Sequence, residues 1–430
     1  MKLSVRKEEF ENALIKVSCA LGEKNEDIIT KNFGIKADKK QVRVCANSQK
    51  VSAEYIIPSG DDLSISEEGV AVIDGASIMS NVSNFHAGVM IDIKTIIAED
   101  KEVDEDSDDD DDDDDKGDAQ IVAKGTLCIE YKTQDGELWS HEHSLLSEEY
   151  FPSADFNWSS KHNISYPASR FIDNVNKTVF AASSDSNYRA DYSVLLMAFE
   201  EGGVVFFATD GCQLAYVKDL QAKSGTEKFA LLKPNVVSKI AKKRILDSTE
   251  NLEISIKENK KKDVPSQVRI NQGGLSIISN FADANRLPFE KILSSPGDKC
   301  KFSIRAGLLT DGLRAFSDLE DKYSVWDFGE KKIVIENSSN CKRKSSGGIS
   351  GVTGFQGSGC KMNFDTRYWN NILSKCDGDT EISILIRSAG APIELSISDV
   401  PLVYKFFIMP IRDLDRKSAE DLKPVLQTKL

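Results

Sequence analysis

Thr209-Asp210-Gly211 sets a hydroxyl, a carboxylate and a glycine between two apolar runs, Phe206-Phe207-Ala208 and Leu214-Ala215-Tyr216-Val217. That spacing reads as a strand, an Asp-Gly turn and a returning strand. Nothing in the chain completes a catalytic set around it. The sequence holds no P-loop, no Gly-x-Gly-x-x-Gly, no Gly-x-Ser-x-Gly and no His-Glu-x-x-His. The glycine-rich stretch from Ser345 to Gly359 follows no clear strand-to-helix transition, so it reads as a loop and not as a phosphate cradle. His141 and His143 form His-x-His without a nearby Cys or a third His, which is a poor metal site. The eight cysteines, at 19, 45, 128, 212, 300, 341, 360 and 376, include no Cys-x-x-Cys pair and read as reduced thiols acting as small apolar residues. No catalytic residue, metal or cofactor is expected. An enzyme whose domains surround a small-molecule site is a rival reading without a motif to support it.

Charge points in a different direction. The chain of 430 residues carries a formal net charge of −14, but residues 99–118 alone contain fifteen Asp or Glu and two Lys, a net of −13. The remainder is therefore close to neutral at −1, with cations free to gather on one surface and hold DNA. Asp108 to Asp115 is an unbroken acidic run whose self-repulsion forbids packing, and it lacks the spaced ligands and glycine turn of a calcium loop. No apolar run is long enough to span a bilayer, and the start, Met-Lys-Leu-Ser-Val-Arg-Lys-Glu-Glu, is too charged for a secretory signal. A cytoplasmic protein without membrane contact is expected.

The elements that must position any site recur three times. Leu3-Ser4-Val5-Arg6, Ile164-Ser165-Tyr166-Pro167 and Phe302-Ser303-Ile304-Arg305 share an apolar-Ser-apolar pattern. Each precedes a helical stripe: Phe10, Leu14, Val17 and Leu21; Phe171, Val175 and Val179; Leu309, Leu313 and Phe316. A second helix follows in each, carried by Ile78, Val82 and Phe85, by Val236, Val237 and Ile240, and by Tyr368, Ile372, Leu373 and Cys376. Alternating runs such as Val89 to Thr95, Leu127 to Thr133, Leu252 to Lys257, Val268 to Gln272, Ile382 to Arg387 and Leu395 to Ser398 predict strands between them. The three marks lie 161 and 138 residues apart, and removing the twenty acid-rich residues shortens the first interval to 141. The sequence therefore predicts three α+β domains, 1–158 with the acidic insert 99–118, 159–294 and 295–412, each with two helices on antiparallel sheets, followed by a tail, 413–430.

Thr209-Asp210-Gly211 between apolar strands, together with Phe407-Ile408-Met409-Pro410-Ile411-Arg412 near the end, resembles the bacterial-type β sliding clamp, the β subunit family of DNA polymerase III. The resemblance implies a ring of two chains joined head to tail, a processivity factor that encircles double-stranded DNA without reading its sequence. It implies replicative DNA polymerase, the clamp loader and other clamp-binding proteins as partners. The implied DNA-facing cations are Lys7, Arg170, Lys177, Lys233, Lys239, Lys242, Lys243, Arg305 and Arg314, with Lys24 and Arg189 on adjoining loops, and Lys239 to Arg244 is the leading patch. Lys260 to Lys262 reads as solubilising charge in a turn. The implied peptide pocket comprises Val194, Thr209, Gly211, Leu214, Pro288, Ile292, Leu293, Met409, Pro410, Ile411 and Arg412, small aliphatic and Met side chains that would accept a peptide's Leu and Phe. The chain departs from the family pattern at Cys212-Gln213-Leu214, where many clamps have His-Arg-Leu, and at the polar His141 to Leu145 strand expected to meet the neighbouring subunit. The alternative within the same fold is a scaffold that never loads onto DNA. Gln427-Thr428-Lys429-Leu430 has the Gln-x-x-Leu start of a clamp-binding peptide, so the tail is a candidate competitor for the pocket.

Overall fold

The computed structural model describes residues 1–23, 25–97, 125–133, 135–156, 158, 163–185, 189–222, 227–259, 266–293, 297–314, 323–337, 345–399 and 401–411. The acidic run, Lys260 to Lys262 and the tail with its Gln427 to Leu430 segment lie outside them.

The chain opens with β1 (Lys2–Arg6) and α1 (Lys7–Val17), followed by β2 (Asn32–Asp38), β3 (Gln41–Asn47), β4 (Val51–Pro58), β5 (Leu63–Glu67) and β6 (Gly69–Asp74). Next come α2 (Gly75–Ser83), β7 (Met90–Ile97), β8 (Gly125–Lys132) and β9 (Leu138–Leu145). A second run holds β10 (Asn163–Pro167), α3 (Ala168–Asn176), β11 (Leu195–Glu200), β12 (Gly203–Thr209), β13 (Gln213–Asp219) and β14 (Lys228–Leu232). It continues through α4 (Pro234–Ile240), β15 (Asn251–Lys257), β16 (Gln267–Gln272), β17 (Leu275–Asn280) and the short α5 (Glu290–Leu293). The third holds β18 (Cys300–Arg305), α6 (Ala306–Arg314), β19 (Tyr323–Phe328), β20 (Lys332–Asn337), β21 (Ser346–Ser350) and β22 (Thr353–Gly357). It closes with β23 (Cys360–Asp365), α7 (Thr366–Leu373), β24 (Glu381–Ile386), β25 (Ile393–Asp399) and β26 (Leu402–Ile408).

The longer helices among the described residues follow from apolar stripes, with side-chain caps at α2 and α7. In α1, Phe10, Ala13, Leu14 and Val17 are buried, with Glu8 and Glu9 in the first turn and Lys16 in the last, the order the helix dipole favours. Asp74 caps α2 by accepting from the Ser77 N–H at 2.7 Å, and Asp365 caps α7 by accepting from Arg367 N–H at 3.0 Å. Pro234 starts α4, where a missing N–H costs nothing. In α7 the buried stripe is Trp369, Ile372 and Leu373, so Trp369 takes the core position expected of Tyr368 and stacks on Trp326 at 4.2 Å. The expected stripes outrun the helices: Phe85 packs just beyond α2, Val179 sits in a separate 3-10 turn, and Phe316 is outside the described residues.

The recurrence is visible in the main chain. Each apolar-Ser-apolar mark is a strand, β1, β10 or β18, and each pairs antiparallel with the strand after its second helix, β7, β15 or β24. The first N–H of each following helix then reaches the same place: Lys7 to Val89 O at 3.0 Å, Ala168 to Glu250 O at 3.0 Å, Ala306 to Thr380 O at 2.9 Å.

Packing divides the chain into two compact units, Met1–Ala168 with Lys242–Lys257 and Gln267–Asn280, and Ser169–Ala241 with Glu258–Ser266 and the described residues from Phe281 onward. The first unit holds a five-stranded sheet, β5-β1-β7-β8-β9, and an eight-stranded one, β10-β15-β16-β17-β4-β3-β2-β6. The second holds a nine-stranded sheet, β14-β11-β12-β13-β26-β25-β24-β18-β22, and a four-stranded one, β21-β20-β19-β23. Sheet continuity runs through β4 with β17 in the first and through β13 with β26 in the second, so the positions 158 and 294 read from the sequence fall between strands that share a sheet with strands of the next repeat. Among the described residues no helix is long and apolar enough to cross a membrane, and no group of three or more His, Cys, Asp or Glu side chains is placed to hold a metal ion.

Candidate peptide-binding site and candidate nucleic-acid interface

The Thr209-Asp210-Gly211 turn joins β12 to β13 and is over-determined by its own side chains. Asp210 accepts from the Cys212 and Gln213 N–H groups, each at 2.8 Å, and from Gln213 Nε2 at 3.2 Å. Thr209 Oγ1 donates to Gln213 O at 2.6 Å and accepts from Gly211 N–H at 3.0 Å. Burial raises the Asp210 carboxyl, and the backbone donors counter it. Gly211 is required here: its φ is +89°, and a Cβ would stand 3.0 Å from the Tyr192 ring. Gln213 also donates to Phe180 O at 3.3 Å, so the residue that replaces the expected cation is buried in the turn's support.

The residues at and just after the end of β26 meet this turn. Leu214 stands opposite Phe407 in the β13–β26 register, Met409 N–H donates to Cys212 O at 2.8 Å, and Ile411 N–H donates to Asn363 O at 2.8 Å. Met409 and Pro410 are buried and Ile411 is half-buried. Cys212 is half-buried, with burial pushing its thiol up to about 11 against a hydrogen bond from Tyr368.

Around Leu214 the sheet face opposite α3 is apolar. Val194, Leu196, Val205, Phe207, Leu231 and Phe407 form one cluster with Leu214, and Phe289 inserts into it, 4.9 Å from Phe207 and 5.8 Å from Tyr216. Ala282, Ala284, Leu287 and Leu293 lie against its margin, held by Ala282 N–H to Leu231 O at 2.7 Å and Asn285 N–H to Asp191 at 2.7 Å. The structure thus brings Val194, Thr209, Gly211, Leu214, Leu293, Met409, Pro410 and Ile411 into the second unit with this shelf. Pro288 is exposed on the same segment, Ile292 lies on α5, and Arg412 is outside the described residues. The sequence pattern does not single out Ala282, Ala284, Leu287 or Phe289, although Leu287 and Phe289 flank the Pro288 that it does.

The candidate cations separate by their partners. In the first unit, Lys7 is only 7% exposed and its ammonium is bound by Glu11 at 2.5 Å. Lys16 is half-buried, its ammonium lowered by burial against the opposing pull of Asp247 and Glu250. Lys242, Lys243 and Arg244 are exposed, but α4 ends at Ile240, so they stand on the turns beyond it and not along its face. Ala241 (φ −75°, ψ 49°) leaves the helical conformation and ends the stripe. A cavity of about 460 Å³ there is lined by Glu8, Glu11, Lys16, Lys243, Arg244 and Asp247, both signs together.

In the second unit, Arg170 binds the buried Asp219 at 3.2 Å and Gln221 at 2.5 Å. Lys177 lies over the Tyr404 ring at 4.3 Å and donates to its hydroxyl at 3.2 Å. Arg189 covers the Tyr192 ring at 4.6 Å beside Asp191 at 3.8 Å. Lys233 precedes α4 and Lys239 stands in its last turn. Arg305 is exposed at the end of β18, and Arg314 pairs with Asp311 at 3.0 Å. Lys24 is outside the described residues.

No protein-family model and no curated protein sequence matches the chain. Solved structures do. The chain is similar to the DNA polymerase sliding clamp of Bacillus subtilis, with 17% identity, a TM-score of 0.76 and coverage of 96% of this chain and 99% of that one. It is similar to the DNA polymerase III β chain of Streptococcus pneumoniae, with 15% identity, a TM-score of 0.78 and coverage of 96% and 100%. The β subunit from Thermotoga maritima gives 15%, 0.77, 96% and 99%. The fold therefore defines the class: this chain has the sliding-clamp fold. Its particular likeness, held over nearly the full length of both chains, is to the bacterial DNA polymerase III β subunit.

Proposed function

We propose that the protein is a DNA polymerase processivity factor, a sliding clamp that encircles duplex DNA and tethers a polymerase through the apolar shelf beside Thr209-Asp210-Gly211. The observation that carries this reading is the clamp fold over 96% of the chain, together with a buried apolar cluster that includes Val194 and Leu214, with the partly buried Leu287 and Leu293 at its margin, beside the Thr209-Asp210-Gly211 turn and the Met409-Pro410 segment. An apolar margin of this kind suits short apolar peptides of polymerase and clamp loader. The protein supplies no bond chemistry of its own. Retention on DNA comes from closure, and tethering raises the polymerase's effective concentration at the primer end.

In this reading each chain contributes three repeats, 1–158, 159–294 and 295–412, with two helices apiece, and two chains close head to tail in the cytoplasm. Two outer strands support the closure. β9 ends the five-stranded sheet and exposes Leu138 and Trp139, at 62% and 50%, while β21 ends the four-stranded sheet. A scaffold that keeps the fold without loading is favoured by one observation: α1 carries three Glu against two Lys, one of them bound to Glu11.

Long-strand synthesis on primed circular DNA, with and without a clamp loader, tests the proposal. Stimulation only with the loader is the expected result. A stable dimer that never stimulates would establish the scaffold, and a monomer without stimulation would remove the ring.

A further inference from the structure

Two thiols in the second unit lie against each other. Cys300 opens β18 in the nine-stranded sheet and Cys360 opens β23 in the four-stranded sheet. The backbone brings them there. Cys300 pairs with Gly357 of β22, Ser358 N–H donates to Lys299 O at 3.1 Å, and the chain passes through Gly359 into Cys360. The approach is close: a Cβ on Gly357, whose φ is +93°, would stand 2.1 Å from Lys299 O, and one on Gly359 would stand 2.7 Å from Phe328 O. The two thiols are close enough to perturb each other's titration, and both are free, 1% and 7% exposed. Cys45 and Cys128 instead meet carboxylates, Glu54 and Glu142.

We propose that Cys300 and Cys360 are a modification site, an oxidisable pair that a peroxide converts to a disulfide joining β18 to β23. Cys360, the more exposed, reacts first. Its thiolate attacks one peroxide oxygen, the O–O bond breaks, and the departing hydroxide takes a proton to leave as water, giving a sulfenic acid. Cys300 then loses its proton and attacks the Cys360 sulfur, and the sulfenic hydroxyl leaves with that proton as a second water. Two thiols are oxidised and one peroxide is reduced to two waters. The coupling between the two thiols agrees with this order, because it lowers Cys360 and raises Cys300. The closed loop would contain α6 and β19 to β22, so the bond would restrict the unfolded chain while linking two sheets.

The test is hydrogen peroxide treatment of the full-length protein followed by peptide mapping without reduction. The expected result is one cross-linked peptide pair containing Cys300 and Cys360, lighter than its parts by two hydrogen masses, with a raised thermal midpoint that a reductant reverses. Cys360→Ser and Cys300→Ser should each abolish the cross-link and the reversible shift, while Cys45→Ser should retain both. The wild-type map decides even if a variant folds poorly. Free thiols throughout, a cross-link to any other cysteine, or irreversible oxidation at Cys360 without a cross-link would overturn the proposal.

Discussion

Asp210 does for the turn what no apolar residue there could do. A carboxylate taken out of water is costly unless donors surround it, and here two backbone N–H groups and the Gln213 amide do so. Asp210→Ala should therefore leave those buried donors unmet and destabilise the second unit by about 1–3 kcal/mol, read from urea unfolding. Gly211→Ala should cost about 1–2 kcal/mol by strain at positive φ and contact with Tyr192. An unchanged midpoint for both would show that the turn is held from elsewhere. A second buried carboxylate, Glu394, meets Lys405 Nζ at 2.7 Å and the guanidinium of Arg387. Burial alone would raise it, but the two cations outweigh burial and hold it below the usual Glu range. A carboxyl depressed in the folded state contributes stability above its ordinary value that is lost as pH falls through the folded one. Glu394→Gln should thus lower stability at neutral pH and flatten the acid limb of the stability curve. Parallel acid limbs for the two proteins would count against the ionic cluster.

At the level of elements, β9 and α2 meet through His143. An amide N–H of Asn81 reaches His143 Nε2 at 3.3 Å, which leaves the proton on Nδ1, 3.2 Å from Ser77 Oγ. Burial, then His141, lowers this imidazole against the pull of Asp74, so the folded chain prefers it neutral. Between the lowered value and the ordinary His value the unfolded chain binds more protons, so stability is full above the ordinary value and declines as pH falls below it. Protection of the β9 amides, with each exchange rate divided by its intrinsic rate at that pH, should fall on acidification from pH 7 to 5, and His143→Gln should remove that dependence; equal pH dependence in the variant would place the titration elsewhere. Elements like these are legible where one local rule acts. Apolar-Ser-apolar followed by a 3.6-residue stripe marks a strand that feeds a helix, and all three marks do so. What escapes the sequence is set by long-range packing. Phe289 reads as an ordinary residue after a proline, yet it stacks on Phe207 because the segment after β17 crosses that sheet face. Lys242 and Lys243 read as one patch with α4, but nothing local announces that Ala241 breaks the helix.

For the whole molecule, under the proposed clamp function, the decisive quantity is charge that remains available to phosphate. The chain is near neutral outside residues 99–118, and several candidate cations already have partners: Lys7 with Glu11, Arg170 with Asp219, Arg314 with Asp311. Each such pair reduces the counterions that DNA binding can release. Attraction should therefore be weak, with the exposed Lys242 and Lys243 and the last-turn Lys239 carrying a large share of it. Changing all three to Ala should leave the fold and affinity for a clamp-binding peptide intact while lowering retention on circular DNA at low salt. The dependence of log affinity on log salt should flatten by about 0.9 for each phosphate that is no longer neutralised. Peptide affinity serves as the control, because none of the three lysines belongs to the apolar cluster or its margin. Retention and salt slope equal to those of the unaltered protein, with peptide binding also unchanged, would place the duplex against other residues and return the turns beyond α4 to plain solvated surface.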